Sequence, residues 1–255
     1  MRKLMFLSLL VAAVIIPLAY ATPADAQATR TWVSGVGDDA NPCSRTAPCK
    51  TFAGAISKTA TGGEMNCLDP GGFGAVTITK AIQIICQVEA GVLVSGTNGI
   101  VVNVPNASDK VLLDGLDIEG LGTGLSGVTI LTGGRVTIRR SVIKNFTLNA
   151  VNLVGTVAGA RVYIIDSLLL SNNGGINVGN NGVANFGTLV NTVVDSNTAF
   201  AAQVNGAASQ ITLVNSSLSG SPAALSLLNG GLAVSIGPSN FLTGTGLPTS
   251  TPAFK

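Results

Sequence analysis

The chain of 255 residues contains no histidine. That absence excludes serine or cysteine nucleophiles activated by an imidazole, and it removes the commonest zinc ligand. Aromatic residues are scarce, with one Trp, two Tyr and eight Phe, so broad aromatic platforms for sugar rings are not expected. Charge is equally sparse: Asp, Glu, Lys and Arg make up 10% of the chain and leave a net +2, too little and too scattered for a nucleic-acid footprint. Beyond Leu4 to Leu18, no apolar run approaches the ~20 residues of a membrane span. Amphipathic helical periodicity is almost missing as well.

What the sequence has is repetition. Between Val111 and Gly231, the segments VLLDGLDI, VTIRRSVI, YIIDSLLL, LVNTVV and TLVNSSL align in three columns. The first is Leu113, Ile138, Ile164, Leu189 and Leu213. The second is Leu116, Ser141, Ser167, Thr192 and Ser216, and the third is Ile118, Ile143, Leu169, Val194 and Leu218. A further strand follows in each repeat, carrying the pairs Val128 and Ile130, Val151 and Leu153, Ile176 and Val178, Ala202 and Val204, and Leu225 and Leu227. Period-two alternation marks strands with one buried face, and a fixed repeat of about 25 residues marks a solenoid. Leucine-rich repeats share that period but need an asparagine-bearing frame that does not recur here. A β-sandwich does not repeat a column at fixed spacing. The expected fold is therefore all-β, a single-stranded right-handed parallel β-helix, with Asn-Gly corners at Asn181-Gly182, Asn205-Gly206 and Asn229-Gly230. The high glycine count of 32 and the 46% hydrophobic content suit such a stack. Thr31 to Val33, Val76 to Ile78, Ile82 to Ile84, Val92 to Val94 and Ile100 to Val102 are the strands expected ahead of the regular repeats.

The first residues read as a secretory signal over residues 1–28, with basic Arg2 and Lys3, an apolar stretch and small residues up to Ala28. Its removal takes Arg2, Lys3 and Asp25 away and leaves a mature charge of +1. The expected destination is secreted or periplasmic. In that compartment four cysteines argue for two disulfides. The expected pairs are Cys43 with Cys49, closing a small loop, and Cys67 with Cys86, joining neighbouring strands. Zinc is the alternative, but no C-x-x-C pair is present, so no metal site is expected. Asp38, Asp39 and Asn41 resemble a calcium loop in part; lacking its spaced carboxylates, they are expected to form Asx turns. Phe52, Ala55, Ile56 and Thr59 share one helical face, with Thr51 as cap and Gly62-Gly63 as terminator. This helix, within an N-terminal cap at 29–64, is expected to cover the open first end of the coils at 65–243. A polar tail at 244–255, with Pro248 and Pro252, is expected to be loosely held.

Here the residues carry a resemblance. The segment GDDANPCSRTAPCKTFAGAISKTATGGEMNCLDPGGFGAVTITKAIQI resembles the opening segment of pectin-lyase-like right-handed parallel β-helix proteins. Gly37, Asp39, Asn41, Pro42, Pro48, Thr51, Phe52, Ala55, Ile56, Pro70 and Gly71 follow that pattern in order, and the later repeats resemble the family's V-T-I-x-[DN]-x-x-I coil. The resemblance implies the fold of the whole mature chain. It leaves activity open, because the family holds lyases, hydrolases, epimerases and tail-spike adhesins. The G-H-G motif of polygalacturonase-type hydrolysis is absent with its histidine. A calcium-dependent lyase needs converging carboxylates and a basic residue. The weak candidates for such a catalytic site are Asp114, Asp117, Glu119, Arg139 and Arg140.

Aligning the repeats stacks Asp114 on Arg139, Arg140 on Asp166 and Glu119 on Lys144, so these charges are first expected to be exposed structural pairs. Tyr163, Arg161 and Lys144 are the candidate ligand-binding residues, with Tyr163 facing outward. Three readings follow in order. The first is a non-catalytic exported scaffold that recognises a polysaccharide or cell-surface glycan on an outer face. The second is a polysaccharide lyase, the only reading with a cofactor, calcium. The third is a structural module that self-associates through its C-terminal coil.

Overall fold

A computed structural model describes residues 27–179 and 182–251. The expected signal segment through residue 26, Asn181 and the last four residues lie outside them. The chain winds into a three-faced parallel β-helix with, among the described residues, a single α-helix, Phe52–Lys58. The first face stacks the leading halves of Ile82–Leu93 and Lys110–Glu119 under Arg135–Arg139, Ala160–Ile165, Asn185–Val190, Gln210–Val214 and Leu232–Ile236. The second face stacks their trailing halves under Val142–Lys144, Leu168–Leu170, Val193–Asp195, Ser217–Leu218 and Phe241–Leu242. The third is a sheet of seven strands running from Val76–Ile78 to Ala223–Leu228. Every pairing between these strands is parallel, as a solenoid wound in one direction demands.

The predicted columns are the observed register. Leu113 pairs with Ile138, Ile138 with Ile164, Ile164 with Leu189, and Leu189 with Leu213, all fully buried. The third column is continuous from Ile118 through Ile143, Leu169 and Val194 to Leu218, and the third-face pairs align in the same way. Each inward aliphatic thus meets its counterpart one coil away, about 4.8 Å along the axis. Each removes a side chain worth about 1.5–3 kcal/mol from water.

The corner between the first and second faces explains the hydroxyl column. Gly115, Arg140, Asp166, Asn191 and Asn215 hold left-handed backbone with φ of 77°, 49°, 50°, 49° and 47°. Asn and Asp tolerate this region best after Gly. The turn tilts the next N–H out of the strand ladder, and the following hydroxyl supplies its partner. Ser141 Oγ accepts from Leu116 N at 3.2 Å, Ser167 Oγ from Ser141 N at 3.2 Å, and Ser216 Oγ from Thr192 N at 3.2 Å. Ser141, Ser167, Thr192 and Ser216 each donate back to the carbonyl two residues earlier. A second interior ladder, which the sequence reading missed, lines the corner between the second and third faces. Phe146 N donates to Asn172 Oδ1, Asn172 N to Asn197 Oδ1 and Asn197 N to Ser221 Oγ.

Several expectations are corrected. Ile82 to Ile84 and Val92 to Val94 form one bent strand, Ile82–Leu93, with a register shift between Ile85 and Ala90. Gly62 and Gly63 do not end the helix. Thr59 leaves it in extended backbone, and both glycines lie inside the strand Thr59–Cys67. Thr51 is the cap, accepting from Gly54 N at 2.9 Å. Asp38 makes the expected local turn, accepting from Ala40 N. Asp39 instead secures the helix start: its carboxylate accepts from Lys50 N, Thr51 N and Thr51 Oγ1.

The helix lies against the first strands. It packs on Ala28–Val33, Thr59–Cys67 and Val76–Ile78, while the Cys43 to Cys49 loop hydrogen-bonds along the outer edge of Ala28–Val33. There Trp32 N donates to Cys43 O, and Cys49 N to Trp32 O. Both disulfides are as expected, Cys43–Cys49 and Cys67–Cys86, with Cα separations of 4.6 and 4.9 Å.

The tail is held more firmly than expected. Thr245 O accepts from Ala224 N, Ser250 O from Ser235 N, and Thr249 N donates to Ala233 O, so residues 245–250 lie along the last strand edges. Unpaired edges invite pairing with other chains, and a loop across them blunts that tendency.

Candidate functional site

The structure divides the predicted acidic group. Asp114 is fully buried at the end of its first-face segment, just before the Gly115 corner. Arg139 Nε donates to its Oδ2 at 2.7 Å, and Arg140 donates to both oxygens at 2.8 and 2.7 Å. Of the pairs expected from the alignment, Asp114 with Arg139 and Glu119 with Lys144 form, but the Asp114 end is buried rather than exposed. The carboxylate is dry, and Arg140 turns to Asp114 rather than to Asp166, whose Oδ1 instead accepts from Asn191. Burial pushes the Asp114 pKa up. Hydrogen bonds and charge from Arg140 and Arg139 outweigh it and hold the group below the ordinary carboxylate value. Both candidate bases are thereby engaged by one buried acid.

Asp117, Glu119 and Lys144 lie around the corner on the second face. Lys144 Nζ sits 3.0 Å from Asp117 and 3.8 Å from Glu119, in a shallow groove of about 470 Å³ that Glu89 and Leu93 also line. Lys144 is thus separated from Tyr163 and Arg161, with which the sequence grouped it. Among the described residues, no three His, Cys, Asp or Glu side chains converge as a metal would require.

A different cluster assembles on the outside of the first face. Lys110 pairs in register with Arg135, and Arg135 with Arg161, so three cations stack on adjacent strands. All three are exposed, and no carboxylate forms an ion pair with any of them among the described residues. Like charges opposite one another on a sheet repel, so the column is a cost to the fold. Aromatic rings fix the two arginines: the Arg135 guanidinium lies 5.4 Å from the Tyr163 ring centre, and that of Arg161 4.6 Å from Phe186. Tyr163 therefore faces outward as expected, but its ring seats Arg135 beside the groove. Gln83, Leu112, Thr137 and Arg139 complete a groove of about 520 Å³ beside Lys110 and Arg135.

Of the predicted residues, this surface brings together Tyr163, Arg161 and Arg139. Lys110, Arg135 and Phe186 were missed. The signal was present: each stands three residues before the first aliphatic column, in the repeat position that Arg161 occupies.

No protein-family model matches the chain, and no curated protein matches it. Two solved structures are similar to it. A pectate lyase, Pel9A, is 12% identical with a TM-score of 0.45, over 88% of this chain and 78% of that one. A rhamnogalacturonan lyase is 9% identical with a TM-score of 0.43, over 81% of this chain and 67% of that one. By its own strand pairing, with three parallel faces and polar ladders inside the corners, the chain is a three-faced parallel β-helix.

Proposed function

We propose that this protein is a non-catalytic binding protein for an acidic polysaccharide, which lies along the outer first face over Lys110, Arg135 and Arg161. The observation that carries the reading is the stacked cation column, which forms no ion pair among the described residues. A column that costs folding free energy gains it back when anionic groups spaced along a polymer meet it, roughly one per coil of ~4.8 Å. Among the described residues, neither the Arg135 nor the Arg161 guanidinium meets a protein acceptor, which leaves each fork of donors to a carboxylate. The aromatic rings beneath restrict the guanidiniums before a ligand arrives, which lowers the ordering cost of binding.

The non-catalytic part rests on the engagement of Arg139 and Arg140 by Asp114, and of Lys144 by Asp117. An exported location agrees with the two disulfides. No helix of the described residues is long and apolar enough to cross a membrane.

The test is calorimetry of the full chain with a polyuronate, a neutral polysaccharide and a nucleic acid across a salt series. Polyuronate binding that weakens with salt, and that Arg135→Ala and Arg161→Ala each weaken, supports the reading. A salt-insensitive interaction, or equal binding of the neutral polymer, overturns it. Preferential binding of nucleic acid overturns the ligand class. Ultraviolet-absorbing unsaturated product appearing during the titration overturns the non-catalytic part in favour of a lyase.

A further inference from the structure

The chain holds Asn-Gly pairs at Asn98, Asn173, Asn205 and Asn229 within its described residues, and their backbone environments differ in one respect. An Asn-Gly pair rearranges when the glycine nitrogen attacks the asparagine side-chain carbonyl, so the state of that N–H controls the reaction. Gly99 N donates to Ser126 O at 2.9 Å, Gly174 N to Leu148 O at 2.7 Å and Gly206 N to Leu228 O at 3.0 Å. These three nitrogens are locked into the coil ladder. Gly230 N donates to no group among the described residues.

Asn229 and Gly230 form the centre of a turn closed by Gly231 N on Leu228 O, with φ of 51° and 78°. Both residues are exposed, on the last coil, where no further coil stacks upon them. The Asn229 amide is held by one side-chain contact, donating to Asn205 Oδ1 at 2.8 Å. We infer that Asn229 is a site of spontaneous deamidation, selected from the four pairs by the free Gly230 N–H.

The chemistry needs only water. The Gly230 nitrogen forms a bond to Asn229 Cγ and gives up its proton, and the side-chain nitrogen leaves as ammonia. The resulting five-membered imide is opened by water at either carbonyl, giving aspartate or isoaspartate. Either product removes the amide donor to Asn205. Isoaspartate also lengthens the backbone path through a turn whose two positive φ values are set for the ordinary chain. The modification therefore loosens the corner that leads into the strand Leu232–Ile236.

Ageing the full chain at mildly alkaline pH and mapping its peptides by mass spectrometry tests this. The Asn229 peptide should convert fastest. The Asn98, Asn173 and Asn205 peptides should lag by at least about tenfold, because local opening must first free their N–H groups. In denaturant the four rates should draw together. Asn229→Gln, which disfavours the five-membered imide, should remove the fast phase while leaving the melting temperature near that of the parent. Equal rates for all four pairs in the folded protein, or a fast phase that survives Asn229→Gln, would overturn the inference.

Discussion

Replacing Asp114 tests whether the buried clamp is the electrostatic keystone of the first corner. Asp114 has no exposed surface, whereas the Arg139 and Arg140 side chains are 43% and 54% exposed. In Asp114→Asn, one side-chain oxygen is exchanged for an NH2 that faces guanidinium donors. Breaking a buried pair costs about 3–5 kcal/mol when the remaining charge stays buried. Here the arginines can rehydrate, so the lower end applies, about 3 kcal/mol. For a domain of this size that lowers the melting temperature by about 6–12 °C.

The pH dependence gives an independent reading. Because the folded pKa of Asp114 lies below its unfolded value of about 3.9, its contribution is complete above that pH and is lost as the pH falls through the folded value. Thermal unfolding followed by circular dichroism from neutral pH downward should therefore show a shallower acid loss in Asp114→Asn than in the parent. Arg139→Gln alone should cost less than Asp114→Asn, since Arg140 still meets both carboxylate oxygens. An Asp114→Asn protein that melts with the parent and keeps its acid slope would refute the reasoning.

Ile143→Asp places a charge in a fully buried column, forfeits about 1.5–3 kcal/mol of burial and adds the cost of an unpaired ion, so loss of the cooperative melt is expected; an unchanged melting temperature would contradict the register. Gly115→Ala should destabilise by upward of about 2 kcal/mol in chemical denaturation, since φ is 77° and the new methyl would sit 2.0 Å from Cys86 O. Asn191→Gly, at φ 49° in the same corner column, should be within about 1 kcal/mol of the parent in the same assay. Tyr163→Leu should weaken polyuronate binding while leaving its salt slope unchanged, because the charges remain and only the seating of Arg135 is lost.

The stacked architecture was legible because a parallel coil repeats its inward positions at constant height, so Leu113 and Ile138 are spelled at the same place in successive repeats. The hydroxyl column was legible for the same reason. The Asp114 clamp was only half legible. Register placed Arg139 beside Asp114, but the preference of Arg140 for Asp114 over Asp166 depends on where a left-handed corner points its side chain. The Asn172 and Asn197 ladder escaped notice because two asparagines a coil apart look like ordinary turn residues until their amides are seen inside. The cation column was not legible because its position does not keep one chemistry: Lys110, Arg135 and Arg161 give way to Phe186 and Gln210. The helix terminator was misread because Gly62 and Gly63 permit a stop, while Thr59 pairing with Ala28 imposes one earlier.

The Cys67–Cys86 bridge joins two successive coils near one end, and no disulfide cross-links the later coils. Under tension applied through the C-terminus, the molecule should pay out like thread from a spool, one coil at a time. Each coil of about 25 residues would release about 85 Å of slack, given about 3.4 Å per extended residue. The run of equal steps would end at the bridge, which keeps the loop from Cys67 to Cys86 from extending.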